Sequence, residues 1–180
     1  MVEISETRLL KLALAVDPTT KGFAFVVLED GSLVDWGVRH AGVSKNSGSV
    51  RKLRVLLKRY TPDMLVVEDV NHRSSRRWRR VRQLVAWFSR EARHQHIALR
   101  RVAHQQVRKH FAAYSPHVTK YGVALALAER FPELRERLPR VRKMWMTEDE
   151  RMSIFDALAM ALVATSVKTD EASSSQAALA

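Results

Sequence analysis

Residues 9–16 form a compact apolar run with little alternation, the pattern of a strand covered on both faces and set in the middle of a sheet. The runs "FAFVVLE" and "SLVDWGV" flank Asp30-Gly31, a dipeptide that favours a tight hairpin, so the second and third strands are expected to be antiparallel. After Gly48, the positions Val50, Leu53, Leu56 or Leu57 and Tyr60 recur at helical spacing, and Pro62-Asp63 ends that helix. "MLVVE" follows as a buried strand. From Ser74 to about His94 the apolar residues Trp78, Val81, Val85, Phe88 and Ala92 step by three and four, which predicts one long helix. Leu84 widens its stripe and Trp87 lies off it, so two packing partners are expected, the sheet and another subunit.

"IALRRV" reads as a fifth strand, "HQQVRKHF" as a short helix, Tyr114-Ser115-Pro116-His117 as a loop, and "KYGVALALAERF" as a helix stopped by Pro132. The charged stretch 132–146, interrupted by Pro139, suits a surface loop or short helix. Thr147-Glu148-Asp149-Glu150 carries the signature of a capping box, so the apolar run behind it predicts a helix from 148 to about 167. This order gives an α/β fold. The sheet is mixed and five-stranded, with strands 1–3 antiparallel, strands 4 and 5 parallel to strand 1, and helices on both faces. Residues 1–167 are read as one domain and 168–180 as a mobile polar tail.

Charge narrows the partner. The 180 residues carry a formal net charge of +12, which favours nucleic acid over an acidic protein or a membrane. Most of the excess sits in residues 71–110, where twelve Lys or Arg face Glu91 alone. With no cysteine there are no disulfides, zinc-thiolate sites or thiol nucleophiles, and a reducing cytoplasm is the expected setting. The first residues lack the pattern of a secretory signal, and no segment approaches the ~20 uninterrupted apolar residues of a membrane span.

Three acids stand out. Asp17 and Glu68 each close an apolar strand, and Asp156 is the sole charge between Ile154 and Val167. Acids that end adjacent strands about 4.8 Å apart can share a pair of hard divalent cations, which activate water and steady a leaving oxygen. An Asp before Pro is often only a turn residue, and a terminal Glu often only solvated. Asp156 resists that plain reading, because an unpaired carboxylate on an apolar helix costs several kcal/mol or takes a proton.

"AVDPTTKGFAFVVLEDGSLVDWG", "PDMLVVEDV" and "FDALAMALVA", together with "QQVRKHF" and "KYGVALALAERFP", resemble the ordered motifs of the RuvC family of Holliday junction resolvases, within the ribonuclease H-like superfamily. The resemblance runs from about Leu12 to Ala164. It implies a ribonuclease H-like fold, a magnesium- or manganese-dependent endonuclease with two ions per site, and Asp17, Glu68 and Asp156 as catalytic metal ligands. Arg108 and Lys120 fall near family positions that present a basic group to the scissile phosphate. Two positions depart from the family. Ser153 stands where the family carries a fourth metal-site acid or histidine, and a hydroxyl is a poor magnesium ligand. Asn71 stands where well-studied bacterial members carry an aromatic wedge, with Trp78 the nearest aromatic downstream. Asp149, about 10 Å from Asp156 on an undistorted helix, is too far to replace the missing ligand.

"NHRSSRRWRRVRQ" follows Glu68 closely, which places Arg73, Arg76, Arg77 and Arg80 at the rim of the expected groove as phosphate-binding residues. Spacing alone makes Trp78 a core or dimer residue. The histidines lack the i, i+4 spacing of helical zinc ligands and read as surface or rim residues. The leading expectation is a nuclease of branched DNA, homodimeric through helix 74–94. Its rivals are a weakened relative that binds structured DNA or RNA without cutting, and an actin-like nucleotide-binding domain, for which 180 residues leave little room for a second lobe.

Overall fold

The computed structural model describes residues 12–73, 75, 77–112, 118–143 and 147–177, with side chains up to residue 166. The loop expected at 114–117 lies outside these. Strands β1 (Leu12–Pro18), β2 (Gly22–Glu29) and β3 (Ser32–His40) form an antiparallel meander. Helix α1 (Lys45–Tyr60) leads to β4 (Met64–Glu68), and α2 (Arg79–His94) leads to β5 (Ala98–Val102), both new strands lying parallel to the first. Helices α3 (His104–Phe111), α4 (Lys120–Arg130) and α5 (Met152–Ala177) complete the chain, with a 3₁₀ turn at Pro132–Arg137. The sheet order is β3-β2-β1-β4-β5, so the run expected to be central is central.

Strand alternation divides the core into two layers. Leu14, Val16, Phe23, Phe25, Val27, Leu65 and Val67 face α1 and α2, while Ala13, Ala15, Ala24, Val26, Met64 and Val66 face α5 and its neighbours. The α5 side is lined by small residues on both partners, Ala13, Ala15 and Ala24 against Ala157, Ala161 and Ala164, all buried. Small side chains let the helix lie close to the sheet, which brings Asp156 down to the strand ends. Among the described residues no helix is long and apolar enough to cross a membrane.

Three helix starts differ from expectation. Helix α1 begins at Lys45, taking in Gly48, where a Cβ would meet Ala41 O at 2.1 Å. Gly48→Ala would gain about 1 kcal/mol in helix propensity. The clash with fixed backbone outweighs that gain, and a net loss of about 1–3 kcal/mol is expected, read as a lower urea midpoint at unchanged m.

Helix α2 begins at Arg79 rather than Ser74, with Trp78 extended at φ −64°, ψ 155°. The cause is tertiary, since the side chain of Arg77 is drawn under the strand ends. Trp78 is 84 % exposed, neither core nor packed against the sheet. Phe88, by contrast, is fully buried and packs edge-on against Phe23 with ring centroids 5.2 Å apart. Helix α5 begins at Met152, so the capping box at Thr147 goes unused. Glu148 instead pairs with Lys120 at 2.6 Å, and Glu150 with His40 at 2.8 Å, while Asp149 Oδ1 accepts from Arg151 N at 2.9 Å.

Candidate active site

Parity and register build the site. Val16 sits opposite Val67 in the parallel β1–β4 pair, so the next residues, Asp17 and Glu68, end neighbouring strands on the face that α5 covers. Each is only 1 % exposed. Asp156 lies in the second turn of α5, its side chain 13 % exposed. Asp149 falls outside the helix, bound to the Arg151 guanidinium at 2.6 Å, and takes no part. Ser153, one turn before Asp156, is buried and offers only a hydroxyl.

Two carboxylates this close and this dry repel one another unless cations answer them. Arg77 does so for both. Its Nη2 donates to Asp17 Oδ1 and its Nε to Glu68 Oε2, each at 2.5 Å, and Nη1 reaches Pro18 O at 3.5 Å. The other oxygen of Glu68, Oε1, accepts from Ser75 Oγ at 3.2 Å and lies 3.2 Å from His104 Nε2. Lys120 Nζ is 2.7 Å from Asp156 Oδ2 and also bonds Glu148. Asp17 Oδ2 is buried with no hydrogen-bond partner among the described residues.

The titration of these groups follows from their surroundings. Burial pushes Glu68 up, but His104 and Arg77 together outweigh it and hold the carboxyl at about 2. Asp156 goes the other way: burial and the charge of Asp17 raise it to about 6 against the pull of Lys120. His104 is raised, chiefly by its bond to Glu68, and Arg77 is raised, chiefly by Asp17. Lys120 loses to burial but gains more from Asp156, and ends raised.

Beside the acids opens a cleft of about 500 Å³, lined by His104, Arg108, Lys120 and Asp156 with Val107, Val118 and Val123 as its apolar wall. Of the other basic residues singled out in the sequence, Arg73 is exposed and Arg76 lies outside the described residues. Arg80 is spent internally, donating to Thr19 O at 2.7 Å and to Asn46 Oδ1 at 3.2 Å. His104 and Ser75 were missed by sequence reasoning. A search for i, i+4 metal pairs cannot find His104, yet its place just past β5, beside the strand that ends at Glu68, was the available signal.

A resident divalent cation has suitable donors here. Asp17, Glu68 and Asp156 offer hard oxygens, and the buried, unpartnered Asp17 Oδ2 is what a cation would complete. As the chain stands, however, no group of three or more His, Asp or Glu among the described residues is placed to hold a metal. The guanidinium of Arg77 stands between the carboxylates instead.

No family model matches the chain, and no curated protein matches it by sequence. Solved structures do resemble it. A Thermus thermophilus RuvC structure superposes with a TM-score of 0.60 at 17 % identity, covering 88 % of this chain and 96 % of that one. T. thermophilus RuvC in complex with a Holliday junction substrate gives 0.58 at 16 %, with 88 % and 96 % covered. The yeast mitochondrial Holliday junction resolvase Ydc2 gives 0.54 at 13 %, with 87 % and 78 % covered. The resemblance read from the motifs thus extends to the whole architecture, and the fold is the ribonuclease H-like fold of RuvC.

Proposed function

We propose that the chain is a metal-dependent endonuclease of branched DNA, resembling the Holliday junction resolvases in activity as it does in fold. The observation that carries this reading is the meeting of Asp17 and Glu68, both nearly inaccessible, with Asp156 above them and a basic cleft alongside. Burying three carboxylates where two inner strands end beneath α5 has no structural benefit that apolar residues would not supply better, which supports a functional role for the cluster. Two magnesium or manganese ions, held by Asp17, Glu68 and Asp156, would supply Lewis-acid polarisation of the phosphate and an activated water.

The protein's own residues do the rest. His104 and Ser75 hold Glu68 Oε1, which leaves Oε2 turned to the site. Arg108 and Lys120 line the cleft and bind the phosphates on either side of the scissile bond. Branched DNA is favoured by the neighbour that was solved with a Holliday junction substrate. The exposed Trp78 can stack on an unpaired base, the part that Asn71, a polar residue in an exposed turn, cannot play.

The test is incubation of the protein with a four-way junction, a flap and a linear duplex, in magnesium, manganese or EDTA. Metal-dependent nicks confirm the reading, and binding without product in any metal overturns it. That second outcome is the rival reading of a non-cutting binder, which the Arg77 bridge and Ser153 favour.

The homodimer expected through a helix at 74–94 remains part of the proposal on a narrower surface, that of α2 (Arg79–His94). Val81, Leu84, Val85, Phe88 and Ala92 are consumed by the core, so only the outer side of α2 is free to pair. Trp87 is the half-buried aromatic there, beside Arg54 and Arg90. Trp87→Glu is expected to halve the mass seen in sedimentation velocity. An unchanged mass removes the helix from the interface.

A further inference from the structure

The acid pair is already bridged by a cation of its own chain. Arg77 takes one oxygen of Asp17 and one of Glu68, its side chain is 24 % exposed, and Asp156 adds to the field that keeps it charged. The arginine reaches the site from outside any helix or strand, since α2 starts only at Arg79 and Trp78 is extended. Its backbone carbonyl accepts from Arg82 Nε at 3.1 Å. Among the described residues its guanidinium bonds Asp17, Glu68 and Pro18 O.

We propose that Arg77 is a built-in counter-cation, and that its guanidinium and a divalent metal ion occupy the Asp17–Glu68 pair in mutual exclusion. The inference rests on the metal site proposed above. A divalent cation held by Asp17 and Glu68 would sit against the guanidinium that already bonds Asp17 Oδ1 and Glu68 Oε2, and two positive groups at one carboxylate pair repel. Ser75 and His104 hold the remaining Glu68 oxygen, so that carboxylate cannot turn to serve both. Metal therefore enters only as Arg77 leaves, and affinity for metal is lowered by the work of displacing the arginine. With Arg77 in place the cluster is stable without metal, and the chain folds with its site locked.

The experiment measures Mn²⁺ binding by electron paramagnetic resonance and calorimetry on the full chain, without DNA, for the wild type, Arg77→Gln, Arg77→Lys and Asp17→Asn. Arg77→Gln should bind at least about ten-fold more tightly than the wild type, the factor expected when one competing cation is removed. Its melting temperature should fall in EDTA and recover with Mn²⁺, whereas that of the wild type should hardly move. Arg77→Lys keeps a charge but gives up the fork that spans two carboxylates, so it too should bind more tightly, and it serves if the glutamine variant does not fold. Equal or weaker binding by the Arg77 variants, with Asp17→Asn abolishing it, overturns the exclusion and leaves the metal site standing. Binding by none of the four overturns both.

Discussion

Asp17→Asn is expected to lower metal-dependent cutting of a four-way junction by about 10³-fold or more, since a metal site contributes several kcal/mol of charge stabilisation at ~1.4 kcal/mol per decade. The change is nearly isosteric at a site that is 1 % exposed, so packing is preserved while one negative charge is lost. Asparagine keeps an oxygen for Arg77 but can no longer offer two anionic oxygens to a cation. It also relieves the repulsion that raises Asp156, so the fold should survive. Asp149→Asn is the matched control. Its partner is Arg151 and it lies off α5, so cutting should persist. Undiminished nicking by Asp17→Asn, or nicking that survives EDTA in the wild type, would remove metal chemistry from the acids altogether.

The sheet and the acids were legible in the sequence because each rests on a local signal. Fully apolar runs marked β1 and β4, Asp30-Gly31 marked the β2–β3 hairpin, and Asp156 announced itself as a lone charge on an apolar helix. Helix starts were less legible because distant side chains decided them. The capping box at Thr147 predicted a start at 148, but Glu148 and Glu150 are worth more to Lys120 and His40 than to the helix end. The stripe from Trp78 predicted a start at 74, but Arg77 is worth more to two buried carboxylates than to an exposed first turn. Arg80 was read as a phosphate ligand for its place in a basic run, and nothing local could show that it turns inward to Thr19 and Asn46.

That division among arginines sets the second large effect, on the salt dependence of DNA binding. Arg73, Arg79, Arg82 and Arg108 are exposed, and Lys120 is 40 % exposed at the cleft, whereas Arg77 and Arg80 are engaged within the fold. With about five phosphates neutralised, log affinity should fall against log salt with a slope of about −4.5, or about 500-fold between roughly 50 and 200 mM. Removing an exposed cation, as in Arg79→Ala, should reduce that slope by about one at little cost in stability. Arg80→Ala should leave the slope unchanged and lower stability by about 2 kcal/mol, because charged hydrogen bonds to Thr19 O and Asn46 are lost. Trp78→Ala should weaken binding by about 1–3 kcal/mol at an unchanged slope, since stacking releases no counterions. Fluorescence anisotropy across a salt series, with urea melts alongside, reads all three. If Arg80→Ala flattens the slope as Arg79→Ala does, the inward-facing arginine turns to the phosphates when DNA arrives, and the β1–β2 turn it braces must open with it.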